Sequence, residues 1–373
     1  MRFKVSSNKL FAQLQALSKV ISSKNSLNIL ECVLFDLHDN LLTLTASDSE
    51  TTIQTTLEVE EAEGAGKVAF TARMLTDTLK EFPEQPLVFD INDQNFGLNI
   101  ISDNGNYNFV GTNGLEYPQM PAITEDVHTF EMEANTLLTA LNKTIFCAAD
   151  DELRPVMNGV YFDLAEESLT MVATDAHRLV KYTNTNIKGE PASFILPKKP
   201  ANLLRQVLGK EEGNVSITFG TKNTRFDFGQ TILICRLIEG RFPNYNAVIP
   251  KNNNNIIVVD RQTILNASKR VAVFANQGTG LIKLAIGENT IHISAQDIDF
   301  STSAEEQISC NYSGPSMAIG FKAPFLIEIL GTIGSDEINI ELSDPSKAGL
   351  IVPTTSEDNE ELVILLMPML LND

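Results

Sequence analysis

Residues 173–180 read ATDAHRLV, placing Thr174, Asp175, His177 and Arg178 within five positions. Asp and His two apart on a strand share one face, which is half of a general-base pair, and a neighbouring Arg could hold a carboxylate or a carbonyl. The rest of a hydrolytic site is missing. No nucleophile stands nearby, and the four histidines (His38, His128, His177, His292) are scattered. No GxxxxGK[ST] phosphate loop occurs, and GPSMA (314–318) departs from the nucleophile-elbow pattern at its last position.

The elements around this peptide recur. LFDLHDNLLTLTASD (34–48), YFDLAEESLTMVATD (161–175) and KLAIGENTIHISAQD (283–297) stack without gaps. Each reads as a strand, a polar turn, a second strand and then Ala-x-Asp. Asp48, Asp175 and Asp297 lie roughly a third of the chain apart. Helix-period segments precede the hairpins: Leu10, Leu14, Leu17, Ile21; Leu138, Leu141, Ile145; Ile264, Ala267, Val271, Phe274. Others follow them: Leu75, Leu79, Phe82; Leu203, Val207; Leu326, Ile329, Ile333. The phrases EYPQMP (116–121) and RFPNYNAVIP (241–250) read as linkers.

The expected fold is therefore α+β: three structurally similar domains, each with two helices packed on antiparallel sheet. The boundaries fall at 1–122, 128–246 and 247–373. Because Ala-x-Asp occurs in every repeat, Asp175 is expected to hold a turn. Gap-free stacking sets Glu50 and Thr51, and then Asp299 and Phe300, against His177 and Arg178. Those two residues are peculiar to one copy, which is where function can be added.

The longest apolar runs, such as LVILLMPMLL (362–371), are about half the roughly 20 residues a bilayer helix needs. The opening MRFKVSSNKLF has no apolar core of a secretory signal, so a cytoplasmic location is expected. Cys32, Cys147, Cys235 and Cys310 are far apart and lack CxxC spacing or a histidine neighbour, so buried thiols are expected, with no metal and no disulfide framework.

The net charge of −20, taken as evenly spread, argues against nucleic acid, which demands Lys and Arg. The charge is uneven, however. Residues 1–30 hold Arg2, Lys4, Lys9, Lys19 and Lys24 with no acid before Glu31, and 261–287 hold Arg261, Lys269, Arg270 and Lys283 with none. Lys198, Lys199, Arg205 and Lys210 form a third such stretch. Each contains an expected helix, as though equivalent helices made one positive surface within an acidic shell. Six helices side by side at about 8–10 Å spacing enclose too narrow a hole for duplex DNA, whereas twelve would pass it, so two chains would be required.

The threefold repeat, ATDAHRLV, GRFPNYNAVIPK and the terminal MPMLL together resemble the bacterial DNA polymerase III β subunit family, the sliding clamps, along the whole length. The resemblance implies a non-catalytic replication processivity factor without cofactor: half of a six-domain ring, the DNA clamp fold, whose homodimer encircles duplex DNA. It implies as partners the replicative DNA polymerase, a clamp-loader ATPase complex and other replication and repair proteins carrying linear clamp-binding peptides. The peptide cleft would be walled by Met157, Thr174, Ala176, His177, Arg178, Leu179, Pro243, Val248, Phe325, Leu366, Met367, Pro368 and Met369. His177 and Arg178 would bond peptide carbonyls at its rim. By the same resemblance Lys24, Arg154, Lys198 and Lys199 would face DNA, and Tyr107 and Phe109 would meet Val273 and Phe274 across the dimer joint. Ala247 and Leu370 stand where an arginine is common, and Ala176 replaces a glycine, so a more apolar, less cationic cleft is expected.

The cleft has its own chemical logic: LVILLMPMLL is more apolar than a last strand requires, and methionines adapt to varied ligands. Part of it, Val363 and Leu365, would be buried strand. Two alternatives stay open from residues alone: an acidic, repeat-built binding or adhesion protein, and a hydrolase using Asp175 and His177. The first should carry a secretion signal and exposed aromatics, yet the chain has no Trp. The second leaves the basic helices without a purpose.

Overall fold

The computed structural model describes residues 1–22 and 27–371. Among these, six α-helices form: α1 Ser7–Leu17, α2 Ala72–Lys80, α3 Ala134–Thr144, α4 Lys198–Val207, α5 Arg261–Ala272 and α6 Ala323–Thr332. They fall two per repeat, as the periodicity predicts. Capping fixes two starts: the Ser6 side chain accepts from Lys9 N, and the Asp260 side chain from Thr263 N. Pro324 opens α6, where its missing N–H costs nothing. Leu10, Leu14 and Leu17 of α1, and Ile264, Ala267 and Val271 of α5, are buried on one face. In α3 the expected Leu141 is buried, as is Ile145 just beyond the helix, but Leu137 and not Leu138 completes the stripe, Leu138 being half-buried. Phe274 follows α5 and is exposed, so it does not extend the buried stripe. No helix among the described residues is long and apolar enough to cross a membrane.

By contact the chain divides into two compact units, residues 1–138 with 199–237 and residues 139–198 with 238–373. Every strand pairing among the described residues is antiparallel, the sense that tight hairpins allow between sequential strands. The first unit holds a five-stranded and a nine-stranded sheet, the second an eight-stranded and a four-stranded sheet. The larger sheet of each unit is a fusion. In the first, strand Thr51–Glu58 of repeat one pairs with Thr231–Arg236 of repeat two, Thr51 opposite Cys235. In the second, Arg178–Asn184 of repeat two pairs with Glu360–Leu366 of repeat three, Arg178 opposite Leu366. Shared sheets explain why the contact units cut across the sequence repeats.

The repeats share their register. Leu34 faces Thr45, Tyr161 faces Val172 and Lys283 faces Ser294, as the gap-free stacking requires. The Ala-x-Asp turns share their chemistry too. Asp48 Oδ1 accepts from the amides of Glu50 and Thr51, Asp175 Oδ1 from those of His177 and Arg178, and Asp297 Oδ1 from those of Asp299 and Phe300. The aspartate therefore holds the turn. Beyond it the gap-free matching fails. Ser47 pairs with Thr52 and Thr174 with Leu179, but Gln296 pairs with Ser303, so the third turn is two residues longer. By strand register the counterparts of His177 and Arg178 in repeat three are Ser301 and Thr302, not Asp299 and Phe300.

The chain leaving the last strand of each repeat crosses back over that repeat in the same way. Thr112 pairs with Ala69, Ile238 N donates to Ile195 O at 3.1 Å, and Met369 N donates to Gly320 O at 2.8 Å. A Cβ on Gly320 would sit 2.8 Å from Met369 O, so the close approach requires glycine. The phrases read as linkers are packed covers of the first two straps. The Tyr117 hydroxyl is buried, donates to Cys32 O at 3.1 Å and accepts from Ser47 N at 3.0 Å. Tyr245 donates to Asp163 Oδ2 at 2.7 Å, and Phe242 stacks on Tyr161 at 4.7 Å. Cys32, Cys147 and Cys235 are buried free thiols, and Cys310 is half-buried.

Candidate functional site

The peptide that first suggested chemistry is a strand–turn–strand corner. Thr174 ends one strand, Arg178 starts the next, and Ala176 between them has φ +73°, a left-handed backbone that favours glycine. Thr174 Oγ1 donates to Arg178 O and accepts from Ala176 N, which closes the turn. Both Asp175 oxygens are engaged, Oδ1 by two amides and Oδ2 by Arg178 Nε at 3.0 Å. His177 instead lies against the Phe325 ring, centroids 6.1 Å apart. No Asp–His relay forms, which removes the hydrolase reading's only pair.

Arg178 is not a rim group. It is 7% exposed and spends its donors inside the protein: Nε to Asp175, Nη1 to Glu328 Oε2 at 2.7 Å and Nη2 to Phe146 O at 2.8 Å. Its guanidinium also lies 4.5 Å from the Phe325 ring centroid and 5.2 Å from that of Phe146. Burial works against its charge, but its neighbours Cys147, Glu328 and Asp175 together outweigh it and raise its pKa. Arg178 thus ties the repeat-two turn to α6 of repeat three and presents Phe325 beside His177. Sequence reasoning missed Phe146 and the bridging role of Glu328; the only prior sign of Glu328 was an acid in an otherwise apolar helix.

Around this pin the expected wall residues fall into three groups by exposure. Thr174, Arg178, Leu179 and Leu366 are buried beneath the surface. Ala176, His177, Val248 and Met367 are exposed, and Met157, Pro243, Phe325, Pro368 and Met369 are half-buried. Met367 N donates to His177 O at 2.8 Å, which joins the terminal segment to the turn. Leu179 packs with Val172, Phe242, Tyr245 and Leu365 from both repeats. The last strand is more buried than expected: Leu362, Ile364, Leu365 and Leu366 all lie in the core, while Val363 is half-buried. Met367 to Leu371 lies beyond it, with Leu370 exposed. Exposed Ala247 beside Val248 makes the rim apolar.

The basic stretches that look unopposed in sequence are partly opposed in space. Lys198 Nζ meets Asp150 Oδ2 at 2.6 Å, Arg154 Nε meets Asp151 Oδ2 at 2.8 Å, Lys199 pairs with Asp48, and Arg270 pairs with Glu306. Arg261 turns inward to the carbonyls of Ser335 and Leu330. Lys24 lies outside the described residues. Tyr107 and Phe109 sit on Asn106–Val110, an open edge of the five-stranded sheet, and Val273 and Phe274 follow α5. Among the described residues no group of His, Cys, Asp and Glu could hold a metal ion.

Three repeats of one α+β module, fused edge to edge through shared sheets, define the DNA clamp class. Family models for the DNA polymerase III beta subunit match in order: the N-terminal domain over 1–121, the central domain over 131–244 and the C-terminal domain over 246–369. The chain is 28% identical over 371 residues to the beta sliding clamp of Pseudomonas putida, covering 99% of this chain and 100% of that one. It is 26% identical to that of Staphylococcus aureus over 373 residues, covering 98% of each. Among solved structures it is similar to the sliding clamp of Pseudomonas aeruginosa bound to griselimycin, with TM-score 0.94, 26% identity and full coverage of both chains. The corresponding griselimycin complex from Bartonella birtlesii gives TM-score 0.92 at 27% identity, again covering both chains fully. The chain belongs to the DNA polymerase III beta subunit family. Its activity is that of a DNA replication processivity clamp, and it is not itself an enzyme.

Proposed function

We propose that two copies of this chain close a ring around duplex DNA, held by topology and not by tight phosphate contacts, and that the ring tethers the replicative polymerase. One observation carries the reading. The same antiparallel seam occurs twice in the chain, and one edge of each kind is left over. Thr51–Glu58 and Arg178–Asn184 are matched by Thr302–Ser309, and Thr231–Arg236 and Glu360–Leu366 by Asn106–Val110; both leftovers are sheet edges. Unpaired edges are templates for pairing with another chain. Thr112, Ile238 and Met369 make equivalent strap contacts, so counting back three residues equates Phe109 with Cys235 and Leu366. The seam register then sets Thr302 of one copy opposite Phe109 of the second, and Ala304 opposite Tyr107. Val273 and Phe274, exposed at the end of α5, would complete that joint.

Ion-paired Lys198, Lys199 and Arg154 suit loose, exchangeable phosphate contacts, in which acids and DNA compete for the same cations. The groove around His177, Phe325, Val248 and Met367 receives short apolar peptides from polymerases, the clamp-loader ATPase and other replication and repair proteins. The modules end near residues 122 and 246, and the protein works in the cytoplasm.

Light scattering should give twice the chain mass of 41.0 kDa. After loading, the protein should stay on nicked circular DNA and leave once the circle is cut; equal retention on linear and circular DNA would refute encirclement. Deleting residues 367–373 should abolish binding of a polymerase-derived peptide and leave the dimer intact. Unchanged affinity in a fluorescence-polarisation titration would reject the cleft.

A further inference from the structure

The third Ala-x-Asp turn carries two extra residues, and the inserted stretch holds two of the most exposed large apolar side chains of the protein, Ile298 (81% exposed) and Phe300 (74%). The corresponding turns carry Ser49 and Glu50, or Ala176 and His177, and leave no such group in solvent. Exposed pairs of this kind mark contact surfaces.

The internal repeat says what they face. At the repeat two–three seam the turn of repeat two lies beside Phe325 and Met367 of repeat three, in the proposed peptide groove. Repeat one supplies its own version of those two walls. Met74 is the third residue of α2 as Phe325 is of α6, and Val110 follows Phe109 as Met367 follows Leu366. Met74 and Val110 are both exposed, at 57% and 82%. The chain's own third turn is therefore the element that meets this patch when a second copy pairs along Asn106–Val110.

We infer that Ile298 and Phe300 of one copy insert against Met74 and Val110 of the second copy, as a built-in plug in the counterpart of the peptide groove. The inference rests on the two-copy ring. It gives the joint between copies an apolar lock.

The test is a double-mutant cycle on dimer dissociation, measured by sedimentation and by subunit exchange of fluorescently labelled full-length protein. Phe300→Ser and Met74→Ser should each weaken the dimer about tenfold or more, the scale of one large apolar side chain returned to water. Combined, they should weaken it by clearly less than the product, because the two side chains meet. Both residues are exposed in the single chain, so unchanged peptide affinity at the groove verifies that each variant is folded. Single variants without effect, or multiplicative effects, would each overturn the plug while leaving the dimer standing. A parent protein that is monomeric at micromolar concentration would overturn the two-copy ring and the plug with it.

Discussion

Arg178 Nη1 donates to Glu328 Oε2 at 2.7 Å, and this ion pair joins the repeat-two turn to the second helix of repeat three. One partner is buried and the other half-exposed, so the pair acts as a pin across a seam. Its removal leaves Asp175 Oδ2 and the Phe146 carbonyl without the donors that Arg178 supplies. Arg178→Ala should lower unfolding stability by about 2–4 kcal/mol, discounted from the fully buried case because Glu328 reaches solvent. Peptide binding at the groove should fall with it, through loss of Phe325 positioning. Chemical denaturation and fluorescence polarisation on the same preparation check both effects.

Tyr117 offers a cleaner subtraction. Tyr117→Phe keeps the packing on Leu34 and Ala69 but strips Ser47 N and Cys32 O of their shared partner. A loss of about 1–3 kcal/mol is expected, the cost of orphaning buried polar groups, with little change in the denaturant slope. Loss below a few tenths would mean that water takes the hydroxyl's place.

Ala176 holds φ +73° at the centre of the turn. Ala176→Gly should raise stability by about 0.5–1 kcal/mol, since glycine is at ease in this region where alanine is strained. A thermal melt that moves down instead would show that the backbone relaxes without strain.

Glu360 gives a pH signature to the seam beside it. Burial would raise its carboxyl pKa, but hydrogen bonds from Lys143 (2.5 Å) and Tyr182 (2.6 Å) and the Lys143 charge outweigh this and hold it below the ordinary carboxylate range. A lowered folded pKa favours the folded state above the unfolded value of about 4.3, and that contribution disappears as pH falls through the folded pKa. Parent protein should therefore lose stability below about pH 4.3 more steeply than Glu360→Gln. Parallel acid slopes for the two proteins would remove Glu360 from the account.

The sequence by itself determined the module: three aspartate turns, hairpins of common register and two helices per copy. Each of these depends on neighbours a few residues apart, so periodicity and turn chemistry expose it. Family likeness supplied the groove residues by position. Only the tertiary structure decided the role of Arg178, because its partners Phe146 and Glu328 are distant in sequence and a buried guanidinium looks the same in a string as one on a rim. The same holds for charge. Lys198 and Lys199 appear unopposed until folding brings Asp150 and Asp48 to them. Local pattern fixes what a segment becomes, whereas the pairing of sheet edges fixes what it touches.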